Sequence, residues 1–484
     1  MPLPQVFSLL VLGQGSSGLD VVQWACSHLG GRVSGVTMYG GAKAQPNDRT
    51  RELERAGARF VFGTEDVEGA YDICVSSPGI SEFSDFFAAG RAHSNEIMGE
   101  PEFAFRLSPS NWCAVTGTNG KTTTTSLVDH LLRFADIPSV AVYLLKAAGE
   151  ASVAVGNIGE PPVNEIDGRA HNEWFVAELS SYQIATTKEL HPRVAILLNI
   201  TDDHLAWHRT HENYAEAKIR LFQNMDERDL AIVDVEDEGN MAHRDEIFKP
   251  GRRVLSLSCE DSGADDAAFV RDGRMVVRLA GVENELVSTE DLQIAGHHNV
   301  INALAAAAAA LACGVSAASV RGGLVNFVPL EHRIEPAGSI AGVRFYNDSK
   351  ATNTDAVEKA LTAFPHDRVI LLLGGHDKGT PLEDFSRIVC QHVVAVVCFG
   401  EAAERFEHAL ELAGAKGSGV TLARAEHMRD AVDVARTLAH AGDVVLFSPA
   451  CSSFDEFSGY EERGRAFKSY LDELRAADTA AIEG

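Results

Sequence analysis

Gly117-Thr118-Asn119-Gly120-Lys121-Thr122 follows an apolar run and opens a helical pattern. Small residues at such a junction let backbone N–H groups turn inward around phosphates. The lysine adds positive charge near the terminal phosphates, and the Thr122 hydroxyl is placed for Mg²⁺. The usual P-loop spacing would put a glycine where Val115 stands, so a generic pattern does not find this loop. The plainer alternative is a glycine turn that only joins strand to helix. A second glycine turn, Gly13-Gln14-Gly15-Ser16-Ser17-Gly18, also leaves a strand and enters a helix. A dinucleotide site would want an acidic residue ~20 positions further on, whereas Thr37-Met38-Tyr39-Gly40 stands there. A diphosphate of another kind fits better, with no ligand as the alternative. Ser76-Ser77-Pro78-Gly79-Ile80 closes another strand of the same region. Both turns then lie at the carboxyl edge of one sheet, where open α/β sheets bind ligands.

Further on, Glu178-Leu179-Ser180-Ser181 ends a strand, and Asp202-Asp203-His204 follows the strand ending at Asn199. A carboxylate and an imidazole beside a phosphate loop make a divalent-metal environment. His204 and His208 share the spacing of a zincin helix, but Leu-Ala-Trp lies between them with no glutamate to act as base, which excludes that chemistry. Three later strand ends are Asp348-Ser349-Lys350-Ala351-Thr352-Asn353, Gly374-Gly375-His376-Asp377-Lys378-Gly379 and Ser448 to Asp455. Together they bring two lysines and several hydroxyls to one edge, which suits a substrate bearing carboxylates. Any one alone could be a helix cap.

Elements that could hold these residues are legible as β-branched runs alternating with helical patterns. Strands are expected at Phe7–Gly13, Val33–Met38, Asp72–Ser76, Cys113–Gly117, Trp174–Leu179, Val194–Asn199, Val369–Gly374, Val393–Phe399 and Val444–Ser448. Several are apolar on both faces, as parallel strands covered by helices are. Helical patterns run over Thr122–Phe134, Asn299–Cys313, Glu401–Ala413 and Met428–Ala439, the alanine-rich Ala303–Ala312 packing closely. The fold class is α/β, doubly wound and repeated more than once. Polar, proline-bearing stretches at Ser108–Asn111 and Val328–Arg333 divide the 484 residues into 1–108, 109–330 and 331–484.

A net charge of −27 repels polyanions at long range, so nucleic acid and anionic membrane surfaces are not expected partners. No stretch has the ~20 apolar residues of a membrane span, and the N-terminus lacks the basic region of a signal peptide. The eight cysteines are scattered without a C-x-x-C pair, as in a reduced, cytoplasmic protein.

These motifs, in this order, resemble the Mur ligases of peptidoglycan synthesis, and specifically their D-glutamate-adding branch. The resemblance rests on TGTNGKT, GNIG (156–159), ELSSYQ (178–183), DDH (202–204), HNVIN (298–302), EHR (331–333), DSKATN (348–353) and SPACSSFDEF (448–457), and it spans essentially the whole chain. It implies three domains: an N-terminal Rossmann-like UDP-binding domain, a central P-loop ATPase domain with a mostly parallel sheet, and a C-terminal Rossmann-like domain that binds the amino acid. It implies ATP and Mg²⁺, one ion or two, and the substrates UDP-N-acetylmuramoyl-L-alanine and D-glutamate, in a cytoplasmic monomer. By position, ATP falls to Gly117, Thr118, Asn119, Gly120, Lys121, Thr122, Thr123, Asn299, Asn302, Arg333 and Asp348. The UDP substrate falls to Gly15, Ser16, Ser17, Gly18, Ser77, Pro78, Gly79, Asn157 and His204. D-Glutamate falls to Thr352, Lys378, Ser453, Phe454 and Tyr460, and metal to Thr122, Glu178 and His204. Lys121, His204, Lys218 and Lys350 carry catalytic roles. Tyr214-Ala215-Glu216-Ala217-Lys218-Ile219-Arg220 resembles the family's YxxAKxR pattern, in which the lysine is carbamylated and becomes a metal partner. A solvated helix lysine is the alternative for Lys218.

The chain departs from the pattern in places. Met38-Tyr39-Gly40-Gly41 lacks the Asp-Thr-Arg type of sequence seen in some members, the segment between Ile137 and Gly156 is longer than usual, and His376 precedes Asp377-Lys378. Folylpolyglutamate synthase is a rival that should lack the Gly13–Gly18 domain. Ser453-Phe454 and Tyr460 favour D-glutamate over the substrates of other Mur ligases. A nonenzymatic nucleotide binder would not need Lys121, Glu178, His204 and Lys378 together.

Overall fold

Runs such as Val369–Gly374, every residue of which is buried, leave no face for solvent, and only a strand inside a helix-covered sheet satisfies them. The computed structural model describes residues 3–135, 152–156, 161–170, 172–201, 205–294, 296–327, 331–365, 367–377 and 379–483. It contains three such sheets.

The first holds β1 (Phe7–Leu12), β2 (Val33–Tyr39), β3 (Arg59–Val61), β4 (Tyr71–Ser76) and β5 (Ser94–Gly99), in the order β3-β2-β1-β4-β5. All its pairings are parallel. The direction of winding reverses between β1 and β4, which makes their carboxyl ends a switch point.

The second sheet holds β6 (Trp112–Thr116), β7 (Ser152–Gly156), β8 (Trp174–Glu178), β9 (Val194–Leu197), β10 (Leu230–Asp234), β11 (Val254–Leu257), β12 (Ala267–Arg271), β13 (Arg274–Leu279) and β14 (Val282–Ser288). Its order is β14-β13-β12-β11-β10-β9-β6-β8-β7, with β6 inside and the β12-β13-β14 end antiparallel.

The third holds β15 (Glu335–Ile340), β16 (Val343–Asn347), β17 (Val369–Gly374), β18 (Val393–Phe399), β19 (Thr421–Arg424) and β20 (Val444–Ala450), in the order β15-β16-β20-β17-β18-β19. Only β15 runs antiparallel to its neighbour. All nine expected strands are present, with ends shifted by a residue or two. The sequence reading missed β3, β5, β7, β10 to β16 and β19; the central sheet is mostly parallel, as expected, with its antiparallel pairs confined to β12-β13-β14.

Two compact units emerge: residues 1–292 with 301–327, and 293–300 with 328–484. The first two sheets share the first unit, and buried carboxylates join them. Glu102 accepts the backbone N–H groups of Lys188, Glu189 and Leu190 at 3.2, 2.8 and 2.9 Å. Glu100 accepts from Val163 N–H at 2.9 Å, and burial pushes its carboxyl up to about 8. In the His297–Ala312 helix, Ala303 to Ala310 are wholly buried, a close packing that larger side chains would not allow. All eight cysteines are free thiols; Cys26, Cys259 and Cys390 are half-buried and the others buried. No described helix is long and apolar enough to cross a membrane.

Candidate active site

β6 delivers the chain into Gly117–Gly120, and the Lys121–Phe134 helix starts immediately after. Gly120 has φ +83°, and a Cβ there would sit 2.5 Å from Asn302 Oδ1, so backbone angle and available space both demand glycine. Gly120 at the N-cap has no side chain with which to cap this helix, and a helix start of this kind suits an anion. The loop is held from outside. Asn119 N–H donates to Asn199 Oδ1 at 2.7 Å, and Asn199 Nδ2 returns a bond to Asn119 O at 3.2 Å. The Thr118 hydroxyl lies 2.9 Å from the Tyr214 hydroxyl. Asn302 takes the Thr124 hydroxyl bond at 3.2 Å and fills the space beneath Gly120.

Two lysines converge on this loop. Lys121 Nζ donates to Gly117 O and Thr118 O, both at 2.9 Å. Lys218, only 2% exposed, donates to the same Gly117 oxygen at 2.7 Å, with its Nζ 4.6 Å from the Tyr214 ring centre. The solvated-lysine alternative for Lys218 is therefore excluded. Glu178 closes β8 opposite Val115 of β6 and is 1% exposed. A buried carboxylate, a threonine in the first helical turn and an uncapped helix start make a donor set that fits a divalent cation with phosphate. Ser180 caps the next helix in a reciprocal box with Gln183. His208 spends Nε2 on the Ser181 hydroxyl at 2.9 Å and packs among Tyr182, Trp207 and Tyr214, a structural role. His204, Asp202, Asp203 and Asn157 lie outside the described residues, as do Lys378 and Tyr143–Glu150.

At the β1/β4 switch point, Gly15 precedes the Ser16–Ser27 helix and the Ser77 hydroxyl donates to Gly13 O at 3.1 Å. A Cβ on Gly18 would meet Gly13 O at 2.3 Å and Ser77 Oγ at 2.7 Å. Gly15, Ser16, Ser17, Gly18, Ser77, Pro78 and Gly79 thus form one pair of packed turns. Tyr39, in the stretch that departs from the family pattern, is buried, its hydroxyl accepting from Glu68 N–H at 3.0 Å.

In the second unit the three strand-end loops meet. Asp348 is interior: it accepts the Ser448 hydroxyl at 2.6 Å and Ile334 N–H at 3.2 Å, and burial pushes it up to about 7. Lys350 Nζ lies 3.7 Å from the Tyr460 ring centre, and Lys350 N–H donates to His332 O at 3.1 Å. Ser453 is buried, whereas Phe454 is 69% exposed. Thr352 is half-buried. Asp377, left without a role by the sequence, accepts from Arg405 and from Gly379 N–H, both at 2.8 Å, and so pins the turn. His376 reaches Glu401 at 2.6 Å. Asn299, Arg333 and Asp348 lie in the second unit, and Asn302 and Gly117–Thr123 in the first. Sequence reasoning missed Asn199, Tyr214, Arg405 and Arg463. Tyr214 had a signal, standing four residues before Lys218; the others had none.

Residues 115–310 match the model of the Mur ligase middle domain, and 332–451 match that of the Mur ligase glutamate ligase domain. A UDP-N-acetylmuramoylalanine–D-glutamate ligase of Caldicellulosiruptor bescii is 35% identical over 470 residues, covering 96% of this chain and 98% of the relative. Another, from Geobacter metallireducens, is 36% identical over 472 residues, covering 96% and 97%. Among solved structures, a MurF ligase from Thermotoga maritima in complex with ADP aligns with TM-score 0.58 at 17% identity, over 91% of this chain and 96% of that one, a likeness of fold.

Proposed function

The chain belongs to the Mur ligase family, and from that premise we propose that it joins D-glutamate to UDP-N-acetylmuramoyl-L-alanine at the expense of ATP. The family makes amide bonds in peptidoglycan precursor synthesis. The observation that carries the reading is the loop of Gly117–Thr122, uncapped at its helix start, with Lys121 and Lys218 on one carbonyl and Glu178 buried at the adjoining strand end. The D-glutamate specificity rests on relatives similar over nearly the whole chain. We retain 1–108, 109–330 and 331–484 as the division into UDP-sugar, ATP and amino-acid domains, and cytoplasmic residence with them.

A carboxylate oxygen is a poor leaving group, so the L-alanyl carboxylate must be activated. Its oxygen attacks the γ-phosphorus of ATP and ADP departs, leaving an acyl phosphate. The amine of D-glutamate then attacks the acyl carbon, and the tetrahedral intermediate expels phosphate as the nitrogen loses a proton. The first step brings two anions together, a mainly electrostatic barrier. Lys121 and the helix N–H groups would neutralise charge on the phosphates. Mg²⁺, when bound, would offset more of that charge, held through Thr122, Glu178, His204 and a carbamylated Lys218. The Gly15–Gly18 and Ser77–Gly79 turns would take the uridine diphosphate, with Asn157 and His204 toward the muramoyl end. Lys350, Thr352, Lys378, Ser453, Phe454 and Tyr460 would orient the amino acid, and Asn299, Asn302, Arg333 and Asp348 the nucleotide.

The test is incubation with UDP-N-acetylmuramoyl-L-alanine, ATP, Mg²⁺ and a panel of amino acids, following phosphate release and product mass. Phosphate release with D-glutamate alone is expected. Ligation of a different amino acid would overturn the specificity, and no ATP-dependent release would overturn the activity.

A further inference from the structure

Arg463 is 1% exposed, yet it sits in a stretch, Tyr-Glu-Glu-Arg-Gly-Arg, that reads as helix surface. Among the described residues no carboxylate forms an ion pair with its guanidinium. Instead Nε donates to the Ser349 hydroxyl at 3.0 Å and Nη2 to Ser349 O at 2.8 Å. Nη2 also reaches Cys451 O at 3.0 Å, and Nη1 reaches Ser452 O at 3.2 Å. Two strand-end loops, after β16 and after β20, are thus held by one planar fork. The contact extends to a third: a Cβ on Gly375 would stand 3.0 Å from Nη1, and His376 N–H donates to the same Ser452 carbonyl at 2.9 Å. The Ser349 hydroxyl passes the link on, donating to Tyr460 O at 2.9 Å, and Tyr460 carries Lys350 on its ring.

We propose that Arg463 is the positioning residue of the amino-acid pocket, fixing Ser349–Lys350, Gly375–His376 and Cys451–Ser453 in register with one another. This rests on the reading of those loops as the D-glutamate site. A guanidinium is suited to the task because its donors are rigidly coplanar and can span two backbones at once, which a lysine cannot do. Burial pulls its pKa down to about 10, so it stays charged at neutral pH.

The test compares Arg463→Ala and Arg463→Lys with the wild type in steady state, and in single-turnover ADP formation without amino acid. Misplacement on the order of 1 Å at the reacting amine predicts a roughly 100-fold rise in KM for D-glutamate in R463A, with ATP KM and single-turnover ADP formation within about threefold. Guanidinium ion at millimolar concentration should lower the R463A KM for D-glutamate, and ammonium should not. Arg463→Lys should raise that KM roughly tenfold, one loop losing its anchor. KM values for ATP and D-glutamate rising together, or a folded R463A insensitive to guanidinium, would overturn the proposal. If R463A lacks a cooperative melt, R463K decides, and a KM equal to that of the wild type refutes it. Should the wild type use another amino acid, the function reading fails, and the same KM comparison on that amino acid judges Arg463 separately.

Discussion

Lys218→Ala is the most informative perturbation of the nucleotide site. Lys218 and Lys121 donate to one carbonyl oxygen at 2.7 and 2.9 Å. Their ammonium groups can therefore be no more than about 6 Å apart, and at an effective dielectric constant of about 20 they repel by about 3 kcal/mol. The Tyr214 ring offsets only part of this, ~0.5–2 kcal/mol for a cation over an aromatic face. A carbamate on Lys218, formed from its neutral amine and CO₂, would remove this repulsion. In that step the nitrogen would attack the carbon and lose a proton, giving a carbamate anion. Over a comparable distance the carbamate would attract Lys121 by about 3 kcal/mol, which sets a ceiling of roughly 100-fold on what losing that attraction costs in rate. Lost metal affinity adds to that, so K218A is expected to be nearly inactive. Acetate or formate should partly restore its turnover, whereas Lys218→Arg should be inactive and unrescued because positive charge fills the gap. The assay is ADP release at saturating substrates, with ¹³CO₂ labelling followed by NMR for the carbamate carbon. Wild-type rates in K218A, or a wild-type enzyme with no ¹³C carbamate signal, would refute the reasoning.

Lys121→Ala should lose several orders of magnitude in kcat while its melting temperature stays near that of the wild type, because the side chain contributes charge rather than packing. More than about a tenth of the activity remaining would contradict the phosphate assignment. Lys378→Ala and Ser453→Ala should raise KM for D-glutamate more than for ATP; the reverse in steady-state kinetics would put the pocket on the wrong edge. Glu100→Gln tests a buried acid outside the site. Burial pushes Glu100 up to about 8, so the native state holds a proton the unfolded chain releases near its ordinary value. Its contribution to stability is full below that ordinary value and is lost as pH rises through about 8. Glutamine carries no such loss, so the melting temperature of E100Q relative to wild type should climb between pH 5 and 9, and a flat difference would refute the assignment.

Helix-covered strands were legible because their burial on both faces writes a continuous apolar run: β1, β6, β17 and β18 each carry one. The loops that follow them were legible too, since glycine, serine and lysine at a strand end have few reasons to be there but turns and ligands. β13 and β14 were not. Arg-Met-Val-Val-Arg-Leu has an arginine at its start and another near its end, Val-Glu-Asn-Glu-Leu-Val-Ser is mostly polar, and these strands depend on pairing with neighbours that a local reading cannot see. Arg271 and Arg278 reach Asp261 and Glu283 across this antiparallel corner, turning charges that look like loop into cross-strand links. Nor does the helical pattern at His297–Ala312 reveal that its first residues, up to Val300, cluster with the second unit while the remainder belongs to the first.

Three of the residues the sequence hid spend much of their chemistry on the backbone. Asn199, Asn347 and Arg463 bond main-chain groups of loops that are remote in sequence, and nothing in their own neighbourhoods marks the partner. A ligand-binding lysine announces itself by standing in a glycine turn, whereas a residue that sets the position of that turn looks like any polar side chain in a helix. Asn347 shows the cost of the role. It donates to His332 Nδ1 at 2.9 Å and to Glu335 at 3.0 Å while its own oxygen holds Ser349 N–H at 3.2 Å. Because Nδ1 accepts, the His332 ring carries its proton on Nε2, and burial holds the imidazole below its ordinary pKa. A neutral ring, an amide and a guanidinium therefore support the loop bearing Lys350, leaving the lysines as the positive groups that a dicarboxylate would meet.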